Sequence, residues 1–287
     1  MKIFEIKPQG FCFGVVNAIN LLNKALSNPN LKKPIYMLGD LVHNSHVINS
    51  FKEKGVIILH GDTRENLLKE INEGTVILTA HGVSDRVYEI LKEKNLDYID
   101  TTCPNVLKTA NLIKEKINEG YHILYLGVKN HPETEGIISN KKNISLITLE
   151  DNLDNLNLNY QKIFFTNQTT LSTFDVIKVY QKLKNKFPHI IYSEEVCSAT
   201  KLRQKAVIEA GMLYDLIIIV GDKMSNNTKE LKNVCLNNTK ARCELIDNYK
   251  DLDKIDFSNI KSIGVTSGAS TPKHLVDEVI DELNKRR

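Results

Sequence analysis

NLDYIDTTCPNVLKTANLIKEKINEGYHILYLG, residues 95–127, holds the motif that organises this chain. A short β-branched and aromatic run ends at Cys103. Val106, Ala110, Ile113 and Ile117 then recur at helical spacing. Pro104 suits the first turn of that helix, where a missing N–H costs little, and Gly120 suits the C′ position after its end. A second apolar run, HILYLG, closes on Gly127.

The same order appears twice more. KIFEIKPQGFCFG leads to Cys12 and HIIYSEEVCSAT to Cys197, so the cysteines lie 91 and 94 residues apart. Val15, Ile19, Leu22 and Leu26 follow the first at helical spacing, and Leu202, Ala206 and Ala210 follow the third. The strands PIYMLGD and LIIIVGD end at Gly39 and Gly221; with Gly127, these glycines stand 27, 24 and 24 residues after their cysteines. Four positions past each glycine stands a polar residue: His43, His131 and Ser225. A last strand runs into a Thr/Ser-rich turn in VILTAHGVS, IFFTNQTTLS and SIGVTSGAST, ahead of helical segments at 84–94, 172–186 and 272–286.

Such a repeat is read before anything else because it sets the fold. Alternation alone is common to any α/β protein; here cysteine, glycine and hydroxyl turns recur with it. Strands alternating with helices predict parallel sheets. The expected fold is therefore α/β, with three small pseudo-threefold units, 1–97, 98–189 and 190–287, around a central site. Ligands in such sheets bind beyond the carboxyl ends of the strands, where all the recurring polar residues fall.

Composition sets limits. The chain has 287 residues, 41% hydrophobic and 25% charged, and a net charge of +3; these are ordinary values for a globular protein that buries roughly three-quarters of its unfolded surface. Scattered basic residues give no phosphate-binding stripe, so no nucleic-acid partner is expected. No run approaches the roughly 18 apolar residues of a membrane span. No signal or transit pattern precedes the first strand, and a cytoplasmic location with reduced or metal-bound cysteines is expected. The stretch DNLDNLNLNY, 151–160, reads as a surface linker. A monomer is expected, because three internal units already complete the centre.

The candidate chemistry follows from residue type. Cys12, Cys103 and Cys197 each open a helix, a position that favours thiolate. Three thiolates would leave one iron of a four-iron cluster without a protein ligand and open to substrate. Cys235, on an apolar helical stripe with Leu231, and Cys243, in a strand before Leu245 and Ile246, read as structural. His43, His81 and His131, with Thr169, Ser225, Asn227 and Ser270, form a donor-rich set suited to a phosphate or diphosphate; the hydroxyl and amide members equally suit helix N-caps. Glu133 could deliver protons or simply favour a helix first turn. No GxGxxG, GxxxxGK[ST] or CxxxCxxC occurs, so a redox role would need single electrons from another protein.

Together GFCFGVVNAI, LGDLVHN, TAHGVS, DTTCPNV, NHPETEG, NQTTLS, EEVCSAT, VGDKMSNNT and GVTSGAST resemble the 4-hydroxy-3-methylbut-2-enyl diphosphate reductases, which act last in the non-mevalonate isoprenoid pathway. The resemblance runs from Met1 to the C-terminal helix. It implies one 4Fe–4S cluster on Cys12, Cys103 and Cys197, and reductive removal of the substrate hydroxyl to give isopentenyl and dimethylallyl diphosphate. It implies substrate contacts from His43, His81, His131, Thr169, Ser225, Asn226, Asn227 and Ser270, proton delivery by Glu133, and a ferredoxin- or flavodoxin-type donor. Two departures stand out: Asn226 replaces a serine frequent in the family, and Asp222 places an acid where a small hydroxyl residue is common. The competing readings are a 4Fe–4S hydro-lyase, which consumes no reductant, and an iron–sulfur sensor, which turns nothing over.

Overall fold

The computed structural model describes residues 1–139 and 141–286. The chain begins β1 (Lys2–Glu5), α1 (Phe13–Leu26), β2 (Ile35–Leu38), α2 (Ser45–Lys52), β3 (Val56–Leu59), α3 (Arg64–Lys69), β4 (Thr75–Leu78) and α4 (Asp85–Glu93). It continues with β5 (Asp97–Asp100), α5 (Pro104–Asn118), β6 (His122–Leu126), α6 (Pro132–Ile138), β7 (Ile144–Ile147), a short 3-10 turn at Leu153–Asn155, β8 (Ile163–Asn167) and α7 (Thr173–Lys186). Last come β9 (Ile191–Tyr192), α8 (Ser198–Gly211), β10 (Leu216–Val220), α9 (Asn226–Asn238), β11 (Arg242–Ile246), a 3-10 turn at Tyr249–Lys254, β12 (Ser262–Ser267) and α10 (Lys273–Lys285). The expected order holds, except that 3-10 turns replace the third helix in the second and third passes.

Three four-stranded sheets result, ordered β3-β2-β4-β5, β7-β6-β8-β9 and β11-β10-β12-β1, and every pairing is parallel. The α/β class with three small parallel sheets is as expected. The strand before each cysteine is the edge strand of the preceding sheet: β5 pairs with β4, β9 with β8, and β1 with β12. Strand pairing therefore groups the chain differently from the segments 1–97, 98–189 and 190–287.

The chain forms two compact units. One comprises Met1–Val16, Val42–Asn49 and Cys197–Arg287 and holds the sheet of β1, β10, β11 and β12; the other comprises Asn17–Leu41 and Ser50–Val196 and holds the other two sheets. The sheet centres are near-continuous apolar runs, as burial on both faces requires: β6 and β10 are buried at every position. Within them the two-residue period sends side chains to opposite faces. Leu216, Ile218 and Val220 enter a core with Leu275, Val276, Val279 and Leu283 of α10, while Ile217 and Ile219 enter another with Val234 and Cys235 of α9. In the other unit Leu124 and Leu126 pack with Val176 and Leu183, and Ile123 and Tyr125 with Ile113 and Ile137.

Gly120 follows α5 with a φ of 85°, in the left-handed region expected at C′. The segment 151–160 is more than a linker. Leu153, Leu156 and Leu158 pack against the second sheet, and Tyr160 stacks on His122, so its leucines alternate inward while its Asn and Asp residues face water. Among the described residues no helix is long and apolar enough to cross a membrane.

Candidate active site

Parallel strands deliver their carboxyl ends to one edge of each sheet, and the candidate side chains stand there. In the unit built on β10 and β12, Cys12 and Cys197 are joined by a continuous chain of hydrogen bonds. The Cys197 Sγ lies 3.2 Å from Thr200 Oγ1. Asn227 Nδ2 donates to that hydroxyl at 3.1 Å, and the Ala269 N–H donates to Asn227 Oδ1 at 2.9 Å. The Cys12 N–H then donates to the Ala269 carbonyl at 2.9 Å. Cys197 is the N-cap of α8 in extended conformation, and the Cys12 carbonyl accepts from the Val16 N–H at the start of α1.

Arg203 lies behind these thiols. It is 3% exposed, donating from Nη2 to the Gly10 carbonyl at 2.7 Å and from Nη1 to the Ala199 carbonyl at 3.3 Å. Its Nε is buried without a partner. Burial pulls the guanidinium below its ordinary pKa, and the charges of Cys12 and Cys197 oppose that pull. Nothing in the sequence singled out this residue. Of the stripe Leu202, Ala206, Ala210, the two alanines pack into the core beneath α8 as expected. Leu202 is exposed, and the buried face also carries Thr200, Arg203, Gln204 and Val207. A charged residue on a helix ordinarily faces water, so only its placement beside two cysteines reveals it.

The polar residues of the same unit gather around the start of α9. Ser225 is its N-cap, and Asn226 and Asn227 occupy its first turn, all three buried. Ser270 Oγ lies 3.4 Å from Ser225 Oγ and donates to the His43 carbonyl at 3.0 Å. Asp222 turns its carboxylate onto backbone amides, accepting from Met224 N–H at 2.7 Å and Ser45 N–H at 3.2 Å, so its charge is already held by donors. Cys235 and Cys243 face each other in the core between α9 and β11, where the burial expected of structural thiols is found.

The other unit holds the remaining candidates. Cys103 is the N-cap of α5, with Pro104 in its first turn, and its N–H donates to the Ala80 carbonyl at 3.0 Å, next to His81. The His81 and His131 rings meet edge to face, centroids 5.5 Å apart. His131 caps α6 by accepting the Glu133 N–H on Nδ1 at 3.1 Å. In the neutral ring its proton therefore sits on Nε2.

Glu133 lies in the first turn of α6 and is 2% exposed. Its carboxylate accepts from the Thr169 N–H and the Thr169 hydroxyl, both at 2.8 Å. Burial pushes its pKa up to about 7, and the Thr169 bonds with help from the Tyr125 phenol offset only part of that rise. Glu135, two residues on, pairs with Arg64 Nη1 at 3.0 Å. The Arg64 guanidinium also reaches the Pro132 carbonyl at 3.4 Å, which ties down the turn that carries Glu133.

A profile of the LytB protein family matches residues 3–284. The chain belongs to the LytB family. A Geobacillus thermodenitrificans relative, 43% identical over 286 residues, covers 99% of this chain and 90% of its own length. A Bacillus subtilis relative is 42% identical over 281 residues, with 98% and 90% covered. Both are 4-hydroxy-3-methylbut-2-enyl diphosphate reductases. Two solved structures of that reductase also match. The Plasmodium falciparum enzyme superposes with a TM-score of 0.90 at 34% identity, covering 99% of this chain and 88% of its own. A second, from the terminal enzyme of the non-mevalonate pathway, gives 0.68 at 29% identity, covering 99% and 100%. The resemblance carried by the nine motifs holds, and so does the expectation of an oxidoreductase.

Proposed function

We propose that this LytB chain converts 4-hydroxy-3-methylbut-2-enyl diphosphate, two electrons and two protons into isopentenyl or dimethylallyl diphosphate and water, as the last step of the non-mevalonate pathway. The observation that carries the reading is the cysteine set. Cys12, Cys103 and Cys197 each begin a helix at a strand end, and a buried guanidinium with an unpartnered Nε lies beside two of them. That donor set fits one 4Fe–4S cluster held by these three thiolates, an anionic group that a buried cation favours. When bound, the cluster supplies single electrons and an iron position open to the substrate hydroxyl.

The protein's own groups do the rest. Ser225, Asn226, Asn227 and Ser270 present hydroxyl and amide donors around the first turn of α9, suited to diphosphate oxygens. His43, His81 and His131 complete the proposed substrate contacts, with the His131 Nε2 proton directed by the cap it forms. Thr169 fixes Glu133 by two hydrogen bonds. A carboxyl group titrating near 7 holds a proton at neutral pH and can release it to a departing hydroxyl oxygen, which leaves as water. Enclosure around the diphosphate excludes competing water. The electrons come from a ferredoxin- or flavodoxin-type protein, and the enzyme works as a cytoplasmic monomer.

Anaerobic purification with iron and sulfide analysis, followed by turnover with a chemical reductant, tests this reading. About four irons per chain are expected, with substrate consumed and reductant oxidised. Serine at position 12, 103 or 197 should remove the cluster, whereas Cys235→Ser and Cys243→Ser should keep it. A cluster without reductant consumption would favour the hydro-lyase, and no cluster after reconstitution would end the proposal.

A further inference from the structure

Glu133 poses a supply problem that the substrate site does not solve. Its carboxylate is buried and held by Thr169. A closed substrate pocket that excludes water would also exclude the proton that must return to Glu133 after each donation.

A cavity of about 330 Å³ reaches Glu133, and apart from His81 and Glu133 it is lined by residues outside the proposed site. Its lining includes Glu133 and His81, then Thr102, Tyr88 and Asp100, and also Asp85, Lys114 and Lys141. The Asp85 and Lys114 side chains are each nearly half exposed, which places the mouth at the surface. All of these residues belong to the unit of β2 to β9.

The lining is suited to water. Tyr88 donates its hydroxyl to Asp100 Oδ2 at 2.7 Å. The Thr102 hydroxyl faces the Tyr88 phenol yet makes no well-formed hydrogen bond, although it is buried. A buried, unsatisfied hydroxyl in a cavity with room for several waters is where ordered water belongs. The lysines at the mouth are already engaged, Lys114 with Asp85 at 2.6 Å and Lys141 with the same carboxylate at 3.6 Å, so they do not form a ready diphosphate clamp.

We infer that this cavity is the proton entry of the enzyme: a water-filled passage along Tyr88, Asp100 and Thr102 by which solvent reprotonates Glu133 while the substrate side is closed. The inference rests on the proposed role of Glu133. Of the two protons consumed per cycle, the one that the Glu133 carboxyl gives to the departing oxygen is replaced when the resulting carboxylate takes a proton from the water chain, which draws on bulk solvent.

Two variants test it. Ala110→Met fills the passage from α5, where Ala110 lines it, and Tyr88→Phe removes one hydroxyl from its wall. Each should lower kcat and leave KM unchanged, with a larger solvent deuterium isotope effect on kcat. The second readout needs no turnover: infrared spectroscopy after a pH jump across 7 follows the Glu133 carboxyl band, assigned by its loss in Glu133→Gln. Reprotonation should slow about tenfold or more in Ala110→Met. Unchanged band kinetics in both variants would overturn the inference, and a raised KM with no change in isotope effect would make the cavity a substrate entrance instead. If Ala110→Met fails to fold, Tyr88→Phe decides alone. If the wild-type protein shows no reductase activity, the infrared experiment still reads the passage.

Discussion

The two units treat charge at their strand ends in opposite ways. Around Cys12 and Cys197 a guanidinium is buried beside the groups that carry negative charge. Among the described residues, no cation pairs with the Glu133 carboxylate. The nearest arginine on that side, Arg64, is taken by Glu135, and Glu133 is left with neutral donors from Thr169. Desolvation then dominates, and its pKa rises to about 7. One environment favours a charge that stays, and the other favours a held proton, which the proposed reaction would move. Two glutamates two residues apart on one helix thus differ in environment because one has an arginine and the other does not.

The largest test of this contrast is to neutralise each glutamate in turn. Glu133→Gln should keep substrate binding and iron content but lower kcat by about 10²- to 10⁴-fold, the usual worth of a general acid. Glu135→Gln should cost far less kcat and act mainly on stability, by leaving Arg64 buried without its partner. Equal kinetic losses measured in steady state would erase the distinction.

A smaller effect is expected at the other unit. Arg203→Met should weaken cluster retention by about 10- to 100-fold, as losses of groups supporting a metal site commonly do. Iron content after limited chelation measures this, and Arg203→Lys should recover part of it. Full retention in Arg203→Met would show that the buried charge serves the fold alone.

The smallest effect is on stability. The folded-state pKa of Glu133, about 7, exceeds its ordinary 4.5, so between these values the folded protein binds more protons than the unfolded one. The contribution is fully present below pH 4.5 and is lost as pH rises through 7. Glu133→Gln should therefore come close to wild type near pH 4.5 and exceed it at pH 8 by on the order of 3 kcal/mol. Denaturant melts of the apoprotein at the two pH values would show it; a constant difference across pH would place the Glu133 pKa near its ordinary value.

What the sequence disclosed was local. Continuous apolar runs and three-to-four spacing are properties of short segments, so the order of strands, cysteines and helices was readable, including α4, α7 and α10 to within a residue or two. Strand partners are not local. Nothing in KIFE announces that it will lie beside Ser262–Ser267 rather than beside the strand after Cys12. Charges were harder still. Arg203 and Arg64 look like surface residues of helices until the surrounding groups are placed. The two glutamates of HPETEG are chemically alike in sequence, and only the structure shows that Arg64 takes Glu135. The leucines of 151–160 were masked by the Asn and Asp residues between them.

The parallel pairing of β1 with β12 has a consequence for how the protein is made. Lys2 stands opposite Ser262, 260 residues away in sequence, whereas the sheets of β2 to β5 and β6 to β9 each close within a short stretch of chain. A contact of such separation carries a large loop-closure cost and forms late. On the ribosome β1 thus emerges long before its partner β12 has been made. Cys12, seven residues beyond that strand, reaches its final place only when nearly the whole polypeptide has been synthesised, which would set cluster insertion at the end of folding.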